Sequence, residues 1–443
     1  MDFSLRGGSE SEYSQIQNYS NENKPIEEPP IAEQADAAQE ESLQPKEKGL
    51  SERKKEAVNK IYNEIVSSGS HVSFEAIAAE VAPLKRGDVR AFKFGDHEYT
   101  ISKVLTNDKQ QTLAIAVSKL DVHNRLGEGG MGGVYDMPST LVGVTAKGSV
   151  TEEDIAALAP QKVMKLLHAQ DKRSIADVKN DAEISSYLNV SGGARGIPSP
   201  SHFFQYEDTT ARLILTKLGT NGYELATRQR ENGDPLPFEL TPSQMQSFVD
   251  DAWAGVDHMH EKGVWHRDIK FDNMMVGKNP QGEPELKHID FGGSKKFTEI
   301  FNVEGFPKKS DILAETSSTA AYRSLDVQKK LTDAYSKYMG LYTFGTDAER
   351  ASVKVDMKNE MTALMKQDDR YSTALALYVI ATGEEPYQSD EHIQAMDREE
   401  GRSMEVFNPA IARSIMEEKL QSTNLLTQPQ IMKIVDAIVP PQK

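Results

Sequence analysis

Apolar positions along the chain fall into three regimes. Residues 1–50 show none of the spacings that build a core. They are rich in Ser, Glu, Gln and Asn, with Pro25, Pro29, Pro30 and Pro45. Such a segment buries too little to offset its chain entropy, so a disordered polar tail is expected. From Ser51 the pattern changes. Ser51 and the following Glu-Arg-Lys-Lys read as a helix start, with Ala57, Ile61 and Ile65 on one face. A second short helix is expected over residues 74–81. Residues 90–104 and 111–120 alternate in polarity around Asn107-Asp108, which predicts a β-hairpin.

The third regime mixes both periods. Strands are predicted over residues 161–167, 202–206 and 212–217. Residues 178–188 form a helix with Ile184 and Leu188 four apart. Residues 243–262 form another, with Met245, Phe248, Val249, Trp253 and Val256 inward. Between residues 327 and 367, Val353, Met357, Met361, Leu364 and Met365 share one face, which reads as core. The apolar run at 373–382 is too short to cross a bilayer. No internal repeat is present.

Composition narrows the classes. The chain has 443 residues, 38% hydrophobic and 27% charged, room for one sizeable domain with additions. Its net charge of −17 repels phosphate backbones, which argues against a nucleic-acid partner. The absence of cysteine removes disulfides, thiol catalysis and thiolate zinc sites. The opening residues lack a basic segment followed by an apolar one, so no secretory signal peptide is expected.

The chemistry concentrates between residues 264 and 292. His266-Arg-Asp-Ile-Lys-Phe-Asp-Asn273 places a carboxylate (Asp268), an amine (Lys270) and a carboxamide (Asn273) within eight positions, and Asp290-Phe-Gly292 follows. Upstream, Gly127, Gly129, Gly132 and Val134 form a Gly-x-Gly-x-x-Gly-x-Val stretch. Its glycines let backbone amides approach a phosphate. A flexible loop is the plain reading of that stretch alone. In this order the three motifs resemble those of the eukaryotic-like Ser/Thr protein kinases.

The resemblance implies an α+β fold of two lobes. A small β-rich lobe with its helix C would occupy residues 121–217, with an insert. A larger, mostly helical lobe would occupy 218–443, with an insert at 327–367. A helical and β-hairpin extension (51–120) and the tail (1–50) would precede them. It implies ATP and Mg²⁺ as cofactors. Asp268 would accept the hydrogen bond of the incoming hydroxyl. Lys270 would place positive charge on the transferring group, and Asn273 and Asp290 would supply hard oxygens to the metal. Lys165, rather than Lys162, would anchor the phosphates, and Glu183 would pair with it from helix C. Main-chain groups near Lys217 and Leu218 would meet adenine. Asp369 would support the catalytic-loop backbone.

Two departures stand out. The residues closing the activation segment are Ser324-Leu325-Asp326 in place of Ala-Pro-Glu, with Asp326 keeping a carboxylate on a shorter arm. The stretch after the central helix is short. Arg267 is expected to grip a phosphate on the segment, at Ser310, Thr316, Ser317 or Ser318. A protein substrate is implied. The glycine-loop wording and the tail resemble kinases that bacterial pathogens inject into host cells. In that reading the N-terminus serves secretion or binds a secretion chaperone; a plain solvated tail on a cytoplasmic kinase is the alternative. A nucleotide-binding pseudokinase scaffold, and a kinase-fold enzyme with a non-protein acceptor or AMP transfer, stay open.

Overall fold

The computed structural model describes residues 51–67, 71–84, 89–94, 96–106, 111–129, 132–142, 161–189, 194–206, 210–230, 233–236, 239–279, 282–313, 322–384 and 409–441. The tail with its chaperone reading, Asn107-Asp108 and Thr316–Ser318 lie outside these residues.

The N-terminal extension builds its own core. Helices α1 (Glu52–Ser67) and α2 (Phe74–Val81) lie on a sheet containing β1 (Val89–Phe94), β2 (His97–Thr106) and β3 (Gln111–Lys119). Ser73 caps α2 by accepting the Ala76 N–H. Ala57, Ile61, Ile65, Ile77, Val81 and Ile101 are fully buried among one another. The expected hairpin is corrected to three strands: residues 90–104 do not form one run, because the chain turns between Phe94 and His97.

The small lobe carries a five-stranded antiparallel sheet, ordered β4 (Arg125–Gly129), β5 (Gly132–Met137), β7 (Lys162–Leu167), β9 (Ala211–Thr216), β8 (His202–Gln205). Between β5 and β7, strand β6 (Ser139–Val142) leaves that sheet and pairs with β3 of the extension. The second strand of the glycine hairpin therefore runs straight into the neighbouring sheet. Alternate side chains of the five-stranded sheet divide its work. Met137, Met164 and Ile214 face the extension with Leu120. Leu167, Ala211 and Leu213 face helix α3 (Lys172–Leu188) with Val178 and Ala182. Arg212 fixes the join, donating to both oxygens of the buried Glu98 at 3.1 and 3.0 Å.

The C-terminal region is helical. It contains α4 (Gly222–Thr227), α5 (Pro242–Glu261), the short pair β10 (Val264–Trp265) and β13 (Lys295–Lys296), and the hairpin β11 (Met274–Lys278) and β12 (Pro284–His288). Next come α6 (Phe297–Phe301), α7 (Lys309–Ile312), α8 (Leu325–Phe344), α9 (Asp347–Thr382), α10 (Pro409–Ser422) and α11 (Gln428–Ile438). The methionine-bearing insert and the central helix form one 36-residue helix, α9, capped by Thr346 and ended by Gly383 at φ 73°. No glycine or proline interrupts residues 347–382. Met357, Met361 and Met365 pack against α8 and against Phe297, Ile300 and Ile312 of the activation segment. The insert is therefore a brace under that segment.

His288, at the end of β12, is buried and bonds through Nε2 to the Ala252 carbonyl at 2.9 Å. Burial, with the charges of His266 and His260, pushes its proton affinity down to about 4, against Asp369, which acts upward. A histidine depressed from 6.5 to about 4 contributes stability that is complete above 6.5 and lost as pH falls towards 4. His288→Gln should therefore gain stability relative to the wild type as pH drops through that window. Urea midpoints at pH 7 and pH 5 test this; a difference between the two proteins that does not change with pH refutes it.

Candidate functional site

The loop over residues 266–273 is pinned from below. Asp369 of α9 is 2% exposed and accepts the N–H groups of His266 at 3.0 Å and Arg267 at 3.2 Å, with His260 Nε2 at 3.0 Å. Those bonds hold Arg267 at φ 75°, a left-handed backbone that is costly for any residue with a Cβ. A short 3₁₀ turn, Phe271–Asn273, folds Asn273 back onto Asp268. Asn273 Nδ2 donates to the Asp268 carbonyl at 2.8 Å and to its carboxylate at 3.1 Å. Lys270 Nζ stands 3.7 Å from the same carboxylate. The Asn273 carbonyl accepts the Ile289 N–H at 2.9 Å, stitching the loop to the residue before Asp290. Asp290 also sits at positive φ, 65°.

Lys165 lies on β7 opposite Val134 and Leu213. Its charge favours ionisation of Asp177 and Asp181 on α3, while Asp290 opposes ionisation of both. Lys165 and Asp290 thus act on the same two carboxylates. Asp181 is 4% exposed. Burial first, and then Asp290, raise it to about 6, against Ser201, Lys165 and the Phe291 N–H. Asp177 is raised chiefly by burial.

The expected Glu183–Lys165 pair is corrected. Glu183 is 59% exposed and its ion partner is Lys179, 3.8 Å away on the same helix. The reason is helical phase. The buried face of α3 carries Val178, Asp181, Ala182, Ser185 and Leu188 at spacings of three and four. Glu183, two positions from Asp181, projects to the opposite side. The spacing of Val178, Ala182 and Leu188 was the signal that could have found Asp181.

Helix α3 docks directly on Asp290-Phe291-Gly292. Asn180 Nδ2 lies 3.0, 2.9 and 2.9 Å from the carbonyls of Phe291, Gly292 and Ser294. Asp181 accepts the Phe291 N–H at 3.1 Å. A Cβ at Gly292 would stand 3.3 Å from both the Asp177 carbonyl and the Asp290 carboxylate, so the glycine permits this approach.

In the glycine hairpin, Gly129 pairs with Gly132; residues 130–131 lie outside those described. A Cβ at Gly132 would meet the Leu166 carbonyl at 2.2 Å, whereas Gly127 faces open space. At the lobe junction, Lys217 N–H bonds to Gln161 O at 2.9 Å and Gly219 N–H to Val276 O at 2.8 Å. Between them, neither backbone group of Leu218 is taken up by another described residue. A donor and an acceptor of that kind are what an adenine edge would need.

The donor set fits a divalent ion bound together with phosphate. Asn273 spends its side-chain amide protons on Asp268, which leaves its side-chain Oδ1 without a partner among the described residues. Among the described residues no three acidic or histidine side chains are arranged to hold a metal alone. Two hard oxygens completed by phosphate suit Mg²⁺.

The activation segment is tied down without added groups. Arg267, 7% exposed, donates to Gly293 O and Ser310 O at 3.2 Å each, and Lys295 pairs with Asp311 at 2.9 Å. Burial and the Arg323 charge lower Arg267 to about 10. Asp326 does not enter a buried ion pair: it meets Lys330 on the exposed side of α8. Ser324 instead caps α8, and the buried acid is Asp368, 3.6 Å from Arg323 and raised by burial to about 6.

A β-rich lobe and a helical lobe, with these loops between them, form an α+β fold of the kind a protein kinase domain has. In sequence, the protein kinase domain family model matches residues 120–336. Cell division control protein 2 homolog C of Antirrhinum majus is 27% identical over 184 residues, 41% of this chain and 54% of that protein. Calcium/calmodulin-dependent protein kinase type 1 of Macrobrachium nipponense is 27% identical over 143 residues, 32% and 36%. Probable kinase PglW of Streptomyces coelicolor is 32% identical over 95 residues, 20% and 6%. The chain thus spans about half or less of these curated relatives. The matches support a eukaryotic-like protein kinase domain over residues 120–336. No helix among the described residues is long and apolar enough to cross a membrane.

Proposed function

We propose that the chain transfers the γ-phosphate of ATP, with Mg²⁺, to Ser or Thr hydroxyls of a protein. The observation that carries this reading is the shared environment of Asp181. Lys165 and Asp290 both act on it, while Asn273 links Asp268 to the strand end before Asp290. Lys165 would hold the α and β phosphates against helix α3. Leu218 would take the adenine edge, and Asp290 and Asn273 would hold the ion. Bound Mg²⁺ supplies charge neutralisation across the polyphosphate. Asp268 aligns the incoming hydroxyl and takes its proton late. Lys270, beside it, stabilises charge on the transferring group.

The test uses ATP labelled in the γ or the α position, followed by phosphoamino-acid analysis. Label on Ser or Thr from γ-labelled ATP is expected. Label from the α position would instead assign AMP transfer, and nucleotide binding without either label a scaffold. The effector reading rests on the glycine-loop wording and the tail; of the relatives named above, one is bacterial. Fusing residues 1–50 to a translocation reporter tests it; retention of the reporter in the producing cell rejects it.

A further inference from the structure

Asp181 lies buried between helix α3 and the loop bearing Asp290, and something must aim its carboxylate. Three groups do so. Ser201 Oγ lies 2.7 Å from Asp181 Oδ1, and the Phe291 N–H meets Oδ2 at 3.1 Å. Ser185 Oγ lies 2.7 Å from Ser201 Oγ and accepts the Ser201 N–H at 3.0 Å. Ser185 and Ser201 are 1% and 3% exposed, so water does not share these bonds. Proton counting fixes their direction. An ionised carboxylate only accepts, so the single Ser201 hydroxyl proton points at Asp181, and Ser185 shares its own proton between Ser201 and the Ala182 carbonyl 3.2 Å away. Ser201 opens the strand β8, whereas Asp181 and Ser185 belong to α3. The three side chains bolt the helix to the sheet and, through Phe291, to the loop bearing Asp290.

We propose that Ser201, backed by Ser185, is a positioning residue that aims the Asp181 carboxylate at the Phe291 N–H, holds the loop bearing Asp290 in place, and so sets nucleotide affinity. The inference rests on the kinase reading above. Ser201→Ala removes one oxygen and leaves the fold free to form. It strips a charge-assisted bond from a buried carboxylate, which corresponds to roughly tenfold weaker nucleotide binding.

A double-mutant cycle separates positioning from bulk packing. A fluorescent ATP analogue with Mg²⁺ is titrated into the full chain as wild type, Ser201→Ala, Asp181→Asn and the double variant, with thermal melts alongside. The expected result is a loss of about tenfold for Ser201→Ala in the wild type and less than about twofold in the Asp181→Asn background. ATP turnover should show the same change as a raised KM, with kcat at saturating ATP reduced less. Equal losses in both backgrounds, or none in either, overturn the inference while leaving the kinase reading intact. A wild type that binds no nucleotide overturns the kinase reading itself.

Discussion

Asp268→Asn is expected to lower kcat by about 10²–10⁴-fold while leaving the KM for ATP within about twofold. The two halves of that expectation have separate causes. The hydroxyl of the substrate must lose its proton as its oxygen bonds to phosphorus, and Asp268 is the carboxylate presented for that purpose. Asn273 holds it at 3.1 Å and Lys270 balances it at 3.7 Å. The asparagine keeps the shape and an accepting oxygen for Asn273 but takes no proton. Nucleotide binding, by contrast, would belong to Lys165, Leu218 and the metal oxygens in the proposed reading. Initial rates against ATP at fixed substrate separate the two. A variant with undiminished kcat removes Asp268 from the reaction.

Asp181→Ala should cost about 10²-fold or more in kcat/KM for ATP, and Glu183→Ala less than about twofold. The contrast follows from burial. Asp181 shares its surroundings with Lys165, Asp290 and the Phe291 N–H, in a site that water does not screen. Glu183 is 59% exposed and meets only Lys179, an exposed pair of the kind that contributes little. Steady-state kinetics of the two variants, made in parallel, provide the check. If Glu183→Ala proves the more damaging, α3 is rotated relative to this description.

The pairing of these two residues shows where sequence reasoning reached and where it stopped. Asp268, Lys270 and Asn273 were legible because they lie within eight consecutive positions, and a short turn brings such neighbours together in almost any context. Asp290 follows on one hairpin. The acids whose charge Lys165 feels lie on α3, which carries Asp177, Asp181 and Glu183 within two turns. Choosing among them requires the rotation of the helix, and a glutamate at the familiar distance outweighed the phase set by Val178 and Leu188. Ser201 left no signal at all: a serine before a strand is ordinary until the helix above it presents Asp181. The extension was partly legible. Its helices and alternating runs were visible, but the break at Phe94–His97 was read through, and β6 joins it from beyond the glycine hairpin. The brace of α8 and α9 was seen as a core stripe, without its partner, because Phe297 and Ile300 lie on the other side of the activation segment.

The most direct test of the account is calorimetric titration of ATP with and without Mg²⁺ into the wild type and Asp290→Asn. If Lys165, Asp290 and Asn273 surround one triphosphate, Mg²⁺ should raise wild-type affinity by about tenfold or more, and the substitution should erase most of that increment. Affinity indifferent to Mg²⁺, or an increment that survives in Asp290→Asn, would contradict it.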